Sequence, residues 1–244
     1  MSPNLHQTAS IHNLKDGAIT FIRNERYLAI LVRCSFNVLV LCPSELKSKV
    51  DAIGAEKFGL VKFYFTDYVD YDFALFHNEV NKDREPKPHV ISATAKIHPS
   101  AIVGVEGLRL GHKPGHRSIQ LKHMGNVIME DGVEMRALAT IQTGVLDSTI
   151  IHRDVHLDTR TSVGHNCVIG ERTAIASGTT IGGSATVGKD CWIGQDCTVK
   201  NGVSVCDRVY LGQLTNVVKD IRTSVIYMGN PAEYYKPYDE NMNF

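Results

Sequence analysis

Every sixth residue from Val127 to Val217 is aliphatic: Val127, Val133, Ala139, Val145, Ile151, Leu157, Val163, Ile169, Ile175, Ile181, Val187, Ile193, Val199, Val205, Leu211 and Val217. A helix repeats its apolar face every 3.6 residues and a half-buried strand every two, so a period of six marks a solenoid of short strands joined by corners. Four residues after many anchors stands a small or β-branched residue, as at Thr161, Cys167, Thr173, Thr179, Ala185, Cys191, Cys197, Val203, Val209 and Thr215. Glycine follows the anchor directly at 164, 170, 182, 188, 194 and 212. Three hexads close one triangular coil, so residues three hexads apart stack at roughly 4.8 Å, the strand spacing of a sheet.

The register occupies little more than the second half of 244 residues, which leaves room for a separate N-terminal domain. Ile97 and Val103 already share the phase of Val127, so the coils begin directly after the proline-punctuated run 84–89. The expected plan is mainly β: a small α/β domain over 1–88, a parallel β-helix over 89–222, and a tail over 223–244. In the first domain, strands are expected near 18–22, 37–41 and 60–65 and a helix over 71–81. The stretch 108–124 loses the anchors and reads as a loop extruded from the coil, a place where function often sits.

Lys plus Arg and Asp plus Glu both number 26, so the net charge is zero and no general attraction to nucleic acid or an anionic membrane is expected. The opening MSPNLHQTAS has no charged start followed by an apolar run, and the apolar stretch 27–42 is broken by Arg33 and Asn37. A soluble cytoplasmic protein is expected. The six cysteines form no CxxC pair; Cys167, Cys191 and Cys197 fall on small-residue positions and read as buried packing thiols, with no metal site.

His165 follows an anchor by two places, where the repeat asks only for a polar residue. One coil further lies Gly183, which has no side chain to separate its backbone from an imidazole stacked beside it. An imidazole takes a proton near neutrality, and a bare backbone N–H donates to a developing oxyanion. Together they suit acyl transfer to an amine or hydroxyl. Spacing alone leaves open that His165 is simply one of eleven histidines on a solvated face. A metal reading is weak, because the stacked neighbours expected for His165 are Asp147 and Gly183.

The run from Gly183 to Asp190 nearly matches a phosphate-binding P-loop, but Asp190 stands where Ser or Thr should ligate magnesium. His112, His116 and His123 lie in the extruded stretch, where a solvated loop accounts for them. Phe21, Asn24 and Tyr27 form F-x-x-N-x-x-Y, two aromatics bracketing an amide, which suits a planar base as well as ordinary strand-end packing.

The ordered series ITFIRNERY, IHPSAIVG, VEGLRLG, IQLKHMGNVIMEDGVEMRA, TGVLDSTIIHRDVHLD and VGHNCVIGERTAI resembles the UDP-3-O-(3-hydroxyacyl)glucosamine N-acyltransferases of lipid A synthesis, from about Asp16 to about Ile221. The resemblance implies left-handed coils, a homotrimer with active sites between solenoids, His165 as catalytic base, and Phe21, Asn24 and Tyr27 as uridine-binding residues. Similarity to acetyl-CoA-dependent sugar N-acetyltransferases implies Gly183 N–H as the donor to the thioester carbonyl.

Two departures point away from a carrier-protein donor. Gly202 stands where the lipid A family has a second histidine, and the chain ends soon after its coils with a GNPA tail like that of acetyl-CoA users. The expected activity is transfer of an acetyl group from acetyl-CoA to the amine of a UDP-linked, deoxy amino sugar for a surface glycan, with Lys219 available to a CoA phosphate. The alternatives are an acyl-carrier-protein-dependent acyltransferase of lipid A type and a non-catalytic trimer that binds a nucleotide sugar. What orients His165 stays open among Asn166, Asp147 and Asp158.

Overall fold

The computed structural model describes residues 7–231 and 233–237, so the first six residues, Ala232 of the GNPA run and the end of the tail lie outside it. The described residues divide into two compact units: 7–85 with Leu108–Met124, and Pro86–Gly107 with the described residues from Gly125 to Pro237.

In the first unit, β1 (Gln7–Thr8), β2 (Ala18–Phe21), β3 (Val38–Pro43) and β4 (Val61–Thr66) form one parallel sheet in that order. The connections after β2 and β3 carry α1 (Leu28–Val32) and α2 (Lys47–Ile53), and α3 (Val69–Val80) follows β4. Central β3 buries Val38, Val40, Leu41 and Cys42 completely, as a strand covered on both faces must. Helix α3 buries Val69, Phe73, Ala74 and His77, one stripe at helical spacing. Asp70 and Asp72 in its first turn complement the positive end of the helix dipole.

The stretch 108–124 is not a solvated loop. Leu110–Gly111 pairs antiparallel with Ile119–Gln120, and this hairpin belongs to the first unit. Asn78 on α3 donates to the Gln120 carbonyl (2.8 Å) and accepts from Lys122 N–H (2.9 Å). Lys122 Nζ caps the far end of the helix by donating to the Asn81 (2.9 Å) and Arg84 (2.6 Å) carbonyls. The hexads vanish here because these strands pair with each other and not with the coil.

His77 is fully buried between the helix and this segment. Its Nε2 contacts the Lys122 carbonyl (2.6 Å), which can only accept, so the ring proton sits on Nε2 and Thr8 Oγ1 donates to Nδ1 (2.7 Å). Burial, followed by nearby His123 and Lys122, pulls its pKa below the ordinary 6.5, against the backbone hydrogen bond that raises it. A histidine held neutral in the fold and free to charge when unfolded contributes stability above the unfolded pKa, and that contribution is lost as pH falls from there through the folded value. The thermal midpoint is therefore expected to fall as the pH drops below about 6.5, the ordinary histidine value, and to fall less steeply in His77→Gln. Equal slopes in melts of the two proteins would show that His77 is not the group responsible.

The second unit is a three-sided parallel β-helix. One face stacks Val90–Ile91, Val127–Met129, Thr149–Ile151, Val168–Ile169, Thr186–Val187 and Ser204–Val205. The second runs from Lys96–Ile97 up to Tyr210–Leu211, after which Val225–Met228 adds a parallel strand and Glu233–Pro237 folds back antiparallel. The third runs from Ile102–Val105 through Thr140–Gln142 and Ser162–Val163 to Asn216–Val217.

Ile151, Leu157, Val163, Ile169, Val187, Ile193, Val199 and Leu211 are fully buried, each fully buried aliphatic side chain contributing roughly 1.5–3 kcal/mol. The small inward positions solve a different problem. Buried hydroxyls and thiols there donate to carbonyls of the next coil: Thr173 to Gly188 (2.7 Å), Thr179 to Gly194 (2.7 Å), Cys167 to Gly182 (3.1 Å) and Cys197 to Gly212 (3.0 Å). All six cysteines are free thiols, and burial pushes Cys167 up to about 12. The corners turn through residues in the left-handed region, including Asp154, Arg160, Asn166, Arg172, Ser184, Asp190 and Asp196, at φ of 52–62°.

The unbroken register of sixteen anchors is corrected by the strand pairing. Ile97 pairs with Met135 and Val103 with Ile141, 38 residues on, while Met135 pairs with Leu157 and Ile141 with Val163, 22 residues on. The anchors of that coil are thus Met129, Met135 and Ile141; Val127, Val133 and Ala139 fill the small inward places, and Val145 lies in an insertion. Relative to an eighteen-residue coil, one insertion of 20 residues follows Val103 and another of four follows Ile141. Their sum is a multiple of six, which restores the phase and hides both from a count of every sixth residue.

Candidate active site

Both insertions occur at one corner of the triangle, between the third face and the first. The next two coils place His165 and Gly183 at that same corner. The column therefore runs from Gly107, where the chain leaves the coil, through the four-residue insertion between Ile141 and Thr149, to His165 and then Gly183.

His165 is buried, with 8 % of its surface exposed, although a polar position on the outside of the coil was expected. A β-carbon at Gly107 would fall 3.3 Å from His165 Cδ2 and 2.2 Å from Gln142 Oε1, so the departing chain covers the ring on one side. Gln142 Oε1 in turn accepts from His165 N–H (3.1 Å). On the other side, a β-carbon at Gly183 would lie 2.6 Å from His165 Nε2. Only glycine leaves the ring its place. Gly164 does the same for the backbone, since a β-carbon there would fall 2.5 Å from Gly183 N.

The protonation of the ring follows from its partner. Asn166 Oδ1 accepts from Val145 N–H (3.0 Å) and its Nδ2 donates to the Asp147 carbonyl (2.9 Å), which fixes the amide without reference to the histidine. His165 Nδ1 lies 3.1 Å from that same Oδ1 and must be the donor. The neutral ring then carries its lone pair on Nε2, the nitrogen turned to Gly183. Asn166 is itself positioned as a left-handed corner residue whose N–H donates to Thr149 Oγ1 (2.8 Å).

Of the three partners left open by the sequence, the structure brings Asn166 to the ring. Asp147 is not stacked beneath His165 as an eighteen-residue spacing required; it belongs to the four-residue insertion and offers its carbonyl to Asn166. Asp158 sits at another corner, where it accepts from Ser177 Oγ (2.6 Å) and Thr159 N–H (2.8 Å). Gln142 and Gly107 were missed, because neither follows the hexad pattern and only the insertions bring them to the column. Lys219 is exposed at the same corner, three coils beyond His165.

In the first unit, Phe21 ends β2 at the carboxyl edge of the parallel sheet, where ligands of open α/β sheets commonly sit. Its ring packs on Phe73 (4.6 Å between centroids). Asn24 is exposed and precedes the single turn Glu25–Tyr27. Tyr27 meets His12 edge-on (5.9 Å) and has the Arg26 guanidinium over its ring (4.7 Å). The three residues thus follow one another from the end of β2 into the turn after it, while the two rings have different neighbours. A cleft of about 620 Å³ in this unit is lined by Tyr64, Leu75, Phe76, Asp72 and Glu79, and by none of these three.

Among the described residues, no three His, Cys, Asp or Glu side chains converge as metal ligands, and no helix is long and apolar enough to cross a membrane. His112 contacts Ser118 Oγ (3.2 Å), His116 packs near Tyr71 (5.7 Å) and His123 is buried, so the three histidines of the hairpin segment do different things.

Residues 148–183 match the bacterial transferase hexapeptide (six repeats), and residues 184–212 match the hexapeptide repeat of succinyl-transferase. Residues 148–212 of the coil thus carry the hexapeptide repeat. The first of these repeat blocks holds both His165 and Gly183. The chain is 40 % identical over 78 residues to a UDP-3-O-acylglucosamine N-acyltransferase of Xylella fastidiosa, covering 32 % of this chain and 23 % of the relative. It is 42 % identical over 78 residues to the enzyme of that name from Porphyromonas gingivalis, covering 32 % and 22 %. The matched part is thus less than a quarter of each relative. A crystal structure of UDP-N-acetylglucosamine acyltransferase superposes with a TM-score of 0.56 at 15 % identity, covering 90 % of this chain and 62 % of that one, and shares the left-handed β-helix fold.

Proposed function

We propose that this hexapeptide protein is a trimeric N-acetyltransferase that moves the acetyl group of acetyl-CoA to the free amine of a UDP-linked amino sugar, a deoxy sugar destined for a surface glycan. The observation that carries the reading is His165 Nε2 set against the backbone of Gly183 with its other nitrogen held by Asn166. The amine attacks the thioester carbonyl as Nε2 takes its proton, so a C–N bond forms and the carbonyl oxygen becomes an oxyanion. Gly183 N–H donates to that oxyanion. The tetrahedral intermediate then collapses, the C–S bond breaks, and the imidazolium returns its proton to the departing CoA sulfur.

Phe21, Asn24 and Tyr27 hold the uracil in this reading. Acetyl-CoA is favoured as donor because Gly202, which has no atom within 4 Å of a built β-carbon, replaces the second histidine of the lipid A family. The GNPA run supports the same choice. Lys219, at the corner occupied by His165 and roughly 14 Å along the stack, suits a CoA phosphate.

The resemblance to UDP-3-O-acylglucosamine N-acyltransferases keeps one other donor in view, an acyl carrier protein. Thiol release measured from acetyl-CoA across UDP-linked 2-, 3- and 4-amino sugars separates the two. Release with one of these sugars is the expected result; release only from an acylated carrier protein would replace acetyl-CoA as donor. UDP binding without thiol release from either donor would leave a binding trimer and no enzyme.

A further inference from the structure

Beside Phe21 the first unit holds two arginines on one carboxylate. Arg23 Nη2 and Nε donate to Asp70 Oδ1 at 2.6 and 3.2 Å, and Arg109 Nη2 donates to the same oxygen at 3.2 Å. Arg23 comes from the end of β2 and stands 5.5 Å from the Phe21 ring centroid. Asp70 comes from the first turn of α3, and Arg109 from the hairpin segment. Three separate pieces of chain converge on one oxygen atom.

A purely structural ion pair has no need of the second guanidinium. Two cations on one anion leave a local charge of +1 in a chain whose net charge is zero. Arg109 bears a cost for this position, since burial and then the charge of Arg23 lower its pKa, against the opposing pull of Asp70. Each guanidinium has five N–H donors, and the bonds to Asp70 use two from Arg23 and one from Arg109. Planar forks of this kind match phosphate oxygens in bidentate pairs.

We propose that Arg23 and Arg109, held in place by Asp70, bind the diphosphate of the nucleotide sugar. The proposal rests on the nucleotide-sugar reading above, and it adds the anion contacts that Phe21, Asn24 and Tyr27 lack. Arg23, half exposed on the sheet edge, faces the phosphate nearer the base; Asp70 fixes both forks and touches no phosphate itself.

The test is binding of UDP, uridine and inorganic pyrophosphate to the full chain by calorimetry, for the unaltered protein, Arg23→Gln and Arg109→Gln. Each variant leaves Asp70 paired with the other arginine, so folding is expected to survive, and a thermal melt checks it. Arg23→Gln is the safer of the two, because its side chain is 50 % exposed. Loss of charge-assisted hydrogen bonds is expected to weaken UDP binding roughly 10–100-fold while uridine binding stays unchanged. UDP affinity equal to that of the unaltered protein in a folded Arg23→Gln would overturn the clamp and leave the uracil reading intact. Pyrophosphate binding that depends on the arginines, without uridine binding, would keep the clamp and remove the uracil reading. Binding of none of the three would remove both.

Discussion

His165→Ala is expected to lower turnover by roughly 10²–10⁴-fold while leaving the affinity for each substrate close to its original value, because general base catalysis of a proton transfer typically contributes that much. The ring lies against glycine on two sides and holds its tautomer through Asn166, while the His165 backbone N–H that donates to Gln142 survives the substitution. The measurement is thiol release under saturating substrates, with UDP and CoA binding followed separately. Unchanged turnover would remove the histidine from the chemistry; a fall in affinity with unchanged turnover would make it a binding residue.

Gly183→Ala is expected to fall almost as far, by ~10²-fold or more. The new methyl group would occupy a point 2.6 Å from Nε2 and 2.8 Å from Cε1 of His165. No real β-carbon sits so close, so the imidazole must move, and a displacement of about 1 Å at a reacting atom commonly costs 10²-fold. Gly183 is not among the residues with positive φ, so alanine fits its backbone, and any fall in the thermal midpoint comes from displacing the buried ring. The cleanest check is the double variant. If the methyl acts by moving the base, Gly183→Ala should cost much less in a His165→Ala background than alone, since two changes to one interaction do not add. Full additivity would instead point to loss of the oxyanion donor, independent of the ring.

Much of this was legible in the sequence for a physical reason: a solenoid is stabilised only between neighbouring coils, so each hexad must carry its own inward residues. From Ile151 to Val217 the anchors are where a period of six puts them. The juxtaposition of His165 and Gly183 followed from the same spacing.

The failures have a physical reason too. Two positions in each hexad point inward and both accept aliphatic residues, so Val127 and Met129 satisfy the pattern equally and periodicity cannot tell which is the anchor. Only backbone pairing decides between them. Because the insertion was invisible, Asp147 was placed beneath His165, and the side chain that does fix the ring, Asn166, stayed one candidate among three. In the first unit, β1, α1 and α2 span two, five and seven residues, too short to show a period of their own. The segment 108–124 looked like a loop because its partners are α3 and its own hairpin strands, far away in the sequence.

A corner insertion changes the numbering of the stack but not the shape of the coil that follows. Here the longer one supplies the first unit with its hairpin and Arg109, and the shorter one supplies the backbone groups that grip Asn166. Each can be lengthened, shortened or exchanged without repacking a single inward side chain, provided the strands on either side still meet their neighbours. Variation in what such a protein recognises can therefore accumulate at one edge of the triangle while the histidine and its glycine stay fixed on the rigid coils beside it.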